Sequence, residues 1–218
     1  MKNKVVVIVG ATGGIGSAVA QKLANSGANL VLVAQDKNKL DTLATQLSTT
    51  ETITIPTNIT NPQEVEALME KASQHFGKID ILVNAAGAGI LKQWNKIEPC
   101  QAAANIMKGQ KSGHICNVIG ILGKHSMAMG SVYCASKFGL VGLSKCMADE
   151  LRRYGIKVTL FYFGGVNTPF WDNVSLKVDR SKMLSSETAA DAIMFALNAE
   201  PQVVPMEINI QPDSHLFF

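Results

Sequence analysis

Apolar positions along this chain gather in short runs, and the stretches between the runs repeat at the helical period. Val5–Val9, Leu30–Val33, Thr52–Ile55, Ile79–Val83, His114–Val118, Lys157–Phe161 and Glu207–Ile210 are rich in β-branched and other apolar residues and have strand length. Between them, Ile15–Asn25, Lys37–Leu47, Pro62–Phe76, Ser131–Tyr154 and Glu187–Asn198 read as helices. Asn61-Pro62 and Ser186-Glu187 look like helix starts, a capping residue ahead of a proline or an acid. Gly27, Gly77 and Gly155 stand where three of these helices should stop. Nearly continuous apolar strands separated by helices predict a parallel sheet covered on both faces. The expectation is an α/β, doubly wound, mostly parallel seven-stranded sheet, forming a single domain over residues 1–218. No repeat, low-complexity tract or linker divides it.

Composition narrows the partners. Of 218 residues, 47% are hydrophobic and 17% charged, ample for one buried core. The net charge of +3 is slight and the Lys and Arg are scattered, so no basic stripe predicts a nucleic-acid partner. No run nears the ~20 apolar residues of a membrane span, so no membrane partner is expected. Val5–Val9 follows Lys2 and Lys4, but Gly10-Ala11-Thr12-Gly13-Gly14 comes at once, which favours a buried strand over a leader. Cys100, Cys116, Cys134 and Cys146 lack C-x-x-C spacing and sit in apolar patterns, predicting reduced, buried thiols and a cytoplasmic protein. His75, His114, His125 and His215 are too dispersed for a metal site, so none is expected.

Two motifs carry candidate chemistry. Gly10-Ala-Thr-Gly-Gly14-Ile-Gly16 follows the first strand and opens the first helix. Glycines there let the backbone turn sharply and approach a pyrophosphate, while the helix N-terminus offers N–H groups and partial positive charge. A tight turn with no ligand is the plain alternative. The second motif is Tyr133-Cys-Ala-Ser-Lys137. On a helix, positions four apart share a face, so a phenol and an ammonium look into the same space. A nearby cation favours the phenolate and draws a Tyr pKa from near 10 toward the working range. A chance Tyr and Lys on one helix is the competing reading.

These motifs, with Asn84-Ala-Ala-Gly87 after the fourth strand, occur in the order of the short-chain dehydrogenase/reductase family, which the chain resembles from Lys4 to Ile210. The resemblance implies a Rossmann-like, NAD(P)-binding fold and hydride transfer between a nicotinamide and a small-molecule carbonyl or alcohol. Tyr133 would exchange the proton; Lys137 would bind the nicotinamide ribose and lower the Tyr pKa. Gly10, Thr12, Gly14 and Gly16 would form the pyrophosphate turn, with Ile15 packed beside it. Gln35, Asn58 and Ile59 would lie toward the adenosine, Asn84, Ala85 and Gly87 toward its ribose, and Val166 and Thr168 would hold the carboxamide. Residues 170–184, with Trp171, Val174, Leu176 and Met183, match the family's substrate lid. A homodimer or homotetramer is implied as well.

Cofactor choice stays open between NAD and NADP. The acid that selects NAD would fall at Ala34 and the base that selects NADP at Gln35 or Gly13; neither is present, although Asp36, Lys37 and Lys39 lie near. Asn58 stands for an Asp, Ala85 for the family's second Asn, and Phe163 for a Pro. The catalytic Ser, thirteen positions before Tyr133, falls on Gly120, with Ser126 and Ser131 nearby. Loss of such an oxyanion-type donor typically costs ~10² to 10³ in rate, so a non-catalytic dinucleotide-binding sensor or scaffold is the alternative. Finally, the interval from Gly87 to Gly113 is about half the family's, as though some twenty residues of a long helix were absent between Pro99 and Cys100. That helix carries the Asn of the family's proton relay. Those residues are either truly deleted or left out of the sequence as written, and the second is favoured because a deletion would expose adjacent helix and sheet surface.

Overall fold

Seven strands lie side by side in the order β3-β2-β1-β4-β5-β6-β7, every neighbouring pair parallel. They are β1 (Val5–Val9), β2 (Asn29–Ala34), β3 (Thr52–Pro56), β4 (Ile81–Asn84), β5 (Gly113–Val118), β6 (Ile156–Phe163) and β7 (Glu207–Ile210). The helices are α1 (Gly14–Asn25), α2 (Lys37–Gln46), α3 (Pro62–Phe76), α4 (Ile97–Gln110), α5 (Ser131–Arg152) and α6 (Ser186–Leu197). This computed structural model describes residues 1–87, 97–173 and 178–214.

The central strands are apolar throughout because both faces are covered. Alternate residues of β1 divide between two cores: Val6 and Ile8 pack with α1, α2 and α6, while Val5, Val7 and Val9 pack with α3, α4 and α5. Helix α3 shows how each layer is held. Val65, Leu68, Met69 and Ala72 bury one stripe, Asn61 caps the N-terminus through Gln63 and Glu64, and Gly77 ends it in the left-handed conformation at φ 75°. From β1 the chain goes out to β2 and β3, then crosses to β4 on the other side. Strand order therefore reverses between β1 and β4, and that opens a crevice at their carboxyl ends.

Pro99 and Cys100 are consecutive residues of one continuous helix, α4, and both are buried with Ala103, Ala104 and Met107. Proline in the first turn lacks only an N–H that a helix leaves unused. Two sequence expectations change. Cap assignment moves by one residue at α6, where Ser185 rather than Ser186 accepts from the Thr188 amide. All four cysteines are free, but Cys146 is exposed, because it lies on the outer face of α5.

Candidate active site

The glycine turn is built by contacts inside the fold. Gly10 leaves β1 at φ 82°, and its amide and that of Ala11 both donate to the Val33 carbonyl of β2. A Cβ on Gly10 would sit 2.7 Å from the Ala86 amide nitrogen, so the turn lies directly against the loop after β4. A Cβ on Gly16 would meet the Gly10 carbonyl oxygen at 2.1 Å, and one on Gly14 would meet Thr168 Cγ2 at 2.5 Å and Ser186 Oγ at 2.9 Å. The bare backbone therefore brings Gly10, Gly14, Gly16, Ala85 and Thr168 to one crevice, with Thr12 and Ile15 half-buried beside them. Helix α1 starts there with no side-chain cap and no acid in its first turn. The partial positive charge of that N-terminus is thus not offset by an acid of its own first turn.

Toward β2, the expected adenosine side differs in detail. Gln35 donates to Asn58 Oδ1 at 3.2 Å, and the Asn58 amide donates to Glu64 at 2.7 Å, so these two candidates hold each other. Ile59 packs half-buried on the α3 side of the sheet. Asp36 caps α2, accepting from the Lys39 amide at 3.1 Å, with the Lys39 ammonium 3.8 Å from its other oxygen. Thr12, Ser17, Asn38 and Lys39 line a cleft of about 310 Å³ between the turn and α2.

On the other side of the crevice, Tyr133 and Lys137 occupy successive turns of α5. Lys137 is buried, 3% exposed, and its Nζ lies 5.3 Å from the centroid of the half-buried Tyr133 ring. Loop 119–123 runs alongside. Gly120 there adopts φ 91° and ψ 160°, and its amide shares the Phe161 carbonyl with that of Ile119. This backbone conformation is nearly exclusive to glycine, so the residue is not simply a serine stripped of its side chain. Ser126 and Ser131 are both exposed.

Phe163, in the place of the family's Pro, is buried and stacks on Phe161 with ring centroids 5.7 Å apart. Beyond it, Val166 is buried and bridges to Leu184, and Trp171 donates its indole N–H to the Val166 carbonyl at 2.8 Å. The expected lid is thus tied at its base to the segment holding Val166 and Thr168. Phe170, Trp171 and Met183 belong to that base, whereas Val174 and Leu176 lie outside the described residues.

Sequence reading missed one feature entirely. Asn84, expected along a ribose, is 1% exposed and turns its side chain inward, donating to Cys100 Sγ at 3.5 Å. Cys100 donates to Asn117 Oδ1 at 3.2 Å, and Asn117 Nδ2 donates to Ser144 Oγ at 2.9 Å. Asn117 was legible as the one amide inside the apolar run of β5; its partners were not, since they come from two distant helices. Among the described residues no cluster of three or more acidic, His or Cys side chains could hold a metal.

Comparison with known proteins accords with this geometry. A family model described as short chain dehydrogenase matches residues 4–99 and 95–179, two stretches that overlap over residues 95–99. An uncharacterized oxidoreductase of Staphylococcus epidermidis is 31% identical over 229 positions, covering 97% of this chain and 98% of its own. A Staphylococcus aureus counterpart is 32% identical over the same span and coverage. Those 229 positions exceed the 218 residues here, so the relatives carry residues this chain lacks. Among solved structures, a β-ketoacyl-[ACP] reductase from Bacteroides thetaiotaomicron superposes with TM-score 0.86 at 27% identity, covering 98% of each chain. An alcohol dehydrogenase from Thermococcus sibiricus, complexed with 5-hydroxy-NADP, gives 0.89 at 21% identity over all of both chains.

Proposed function

Because the chain belongs to the short-chain dehydrogenase/reductase family, we propose that it is an oxidoreductase acting on a small carbonyl or alcohol with a nicotinamide cofactor. One observation carries the reading: a buried ammonium, Lys137, stands 5.3 Å from the Tyr133 ring on one face of α5. Burial of a cation beside a phenol favours phenolate and lets Tyr133 take or give a proton at the substrate oxygen. Gly10, Gly14, Gly16 and the first turn of α1 would cradle the pyrophosphate, since any Cβ on those glycines would fill the cradle. Val166 and Thr168 would hold the nicotinamide end, and Lys137 the ribose hydroxyls. When bound, the cofactor supplies or accepts the hydride; the protein contributes orientation and the proton path.

The reading extends to the form of the cofactor. Asp36 is engaged in capping α2, and Lys39, Asn38 and Thr12 line the adjoining cleft. An ammonium with two neutral donors suits a 2′-phosphate better than a bare hydroxyl, so NADP(H) is the proposed partner. A reducing, cytoplasmic compartment accords with the four free thiols; among the described residues no helix is long and apolar enough to cross a membrane. Exposed Val132 and Phe138 along α5 fit the expected homo-oligomer.

Calorimetric titration with NADPH and NADH, then a carbonyl panel with Tyr133→Phe as control, tests this. Turnover that survives Tyr133→Phe would sink the mechanism, and tighter binding of NADH would sink the cofactor assignment. Gly120 favours a second reading. Its backbone excludes the usual hydroxyl, so cofactor binding without turnover would identify a dinucleotide sensor.

A further inference from the structure

Asn84, Cys100, Asn117 and Ser144 form a hydrogen-bonded chain in which every member is 0–1% exposed. It runs from β4 through α4 and β5 to α5. Buried polar groups are ordinarily bonded, so satisfaction alone says little about function. Location says more. Asn84 and Asn117 are register partners at the carboxyl ends of adjacent strands, and Asn117 precedes Gly120 by three residues. Ser144 lies on the buried face of α5 two turns beyond Lys137, with Leu140 between them. The contacts of Leu140 and Leu151 with the sheet are apolar and permit sliding, whereas the bond from Asn117 Nδ2 to Ser144 Oγ at 2.9 Å is directional. Lys145 makes a second polar tie, to Glu207 of β7, but its side chain is 59% exposed and the tie sits at the sheet edge.

We propose that this chain sets where α5 lies on the sheet, which makes Asn117 and Ser144 positioning residues for Tyr133 and Lys137. The proposal rests on the proton-transfer role given above to that pair. Cys100 is the link that the short α4 provides: its thiol accepts from Asn84 and donates to Asn117, so it joins the two strand ends from the helix side. Breaking the chain lets α5 shift along its axis and carries Tyr133 and Lys137 together out of register with the glycine turn and the loop after β6. A misplacement of about 1 Å can itself cost on the order of 10² in rate.

Amide hydrogen exchange along α5 gives a test that needs no turnover. Ser144→Ala and Cys100→Val break the chain, while Ser144→Thr and Cys100→Ser keep a donor and acceptor in place. The breaking variants should speed exchange along α5 and lower kcat roughly 10- to 10²-fold with cofactor KM little changed. The preserving variants should track the wild type. Should Ser144→Ala fail to fold, Cys100→Val, close to Cys in volume, carries the comparison. Breaking variants that lose thermal stability yet exchange along α5 and turn over like wild type would overturn the proposal and leave the chain a packing device. Faster exchange along α5 in a protein that turns over no carbonyl would instead overturn the oxidoreductase reading and leave the positioning in place.

Discussion

Restoring the family's serine at position 120 should not restore a family-like site. Gly120 sits at φ 91° and ψ 160°, and holding any L side chain in that region costs about 1–3 kcal/mol. Crowding is not the obstacle, since the nearest atom to an added Cβ would be the Phe163 carbonyl oxygen at 3.9 Å. For a chain of 218 residues, each kcal/mol moves Tm by about 2–4 °C, so Gly120→Ser should melt about 2–12 °C lower. Gly120→Ala meets the same backbone penalty without the hydroxyl and is the control; the two should fall together. A well-placed oxyanion donor is worth ~10² to 10³ in rate. A Cβ carried on this backbone leaves in a direction that an ordinary β or α residue does not offer, so kcat/KM of Gly120→Ser should stay well short of ~10² above Gly120→Ala. Thermal unfolding and steady-state kinetics on both variants decide it. A Gly120→Ser protein as stable as wild type and ~10²-fold faster than Gly120→Ala would refute the reasoning and show that only a hydroxyl was missing.

Other outcomes follow from the same geometry. His114, paired with Thr159 at 2.8 Å, has its pKa pushed down to about 4 by burial, with Lys157 adding to the effect. The unfolded chain takes up a proton near pH 6.5 that the folded chain refuses until about 4, so stability is full above 6.5 and lost as pH falls through that window, by about 3 kcal/mol. Denaturant unfolding between those limits should show that slope in wild type and a flatter one in His114→Gln. Gly14→Ala would drive a methyl to 2.5 Å from Thr168 Cγ2; overpacking of this kind costs about 1–3 kcal/mol, and NADPH affinity by calorimetry should fall at least ~10-fold, equivalent to ~1.4 kcal/mol. An unchanged Kd would separate the turn from cofactor binding. Lys39→Glu should weaken NADPH far more than NADH; equal effects on both would remove Lys39 from the phosphate site.

How much of this was legible depended on the range of the interactions. The seven strands and their mostly parallel arrangement could be read because the determinants are local: apolar runs at the strand period, and helices between them long enough for crossovers. Asn61 and Gly77 marked α3 for the same reason. The Tyr133–Lys137 pair and the glycine turn were legible as spacing, since four residues on a helix and a turn at a strand end fix geometry without distant help. What could not be read was set by backbone torsion or by partners remote in sequence. Nothing in the letters around Gly120 announces φ 91°. Asn84 was expected beside a ribose from the family's motif, yet its side chain donates to a cysteine sixteen residues on.

Helix α4 draws these threads together. Pro99 and Cys100 are both buried there, and Cys100 bonds to the ends of β4 and β5. An apolar residue in place of Cys100 would leave the inward-facing amides of Asn84 and Asn117 facing hydrocarbon, which costs free energy that a thiol avoids by both accepting and donating. Gly120 and Cys100 therefore meet through β5: Cys100 is bonded to Asn117, and Gly120 follows three residues on. From Asn117 the bonds continue to Ser144 and the helix that carries Tyr133 and Lys137. On the reading proposed above, that pair is held in place from the α4 side while position 120 offers no side chain to the substrate.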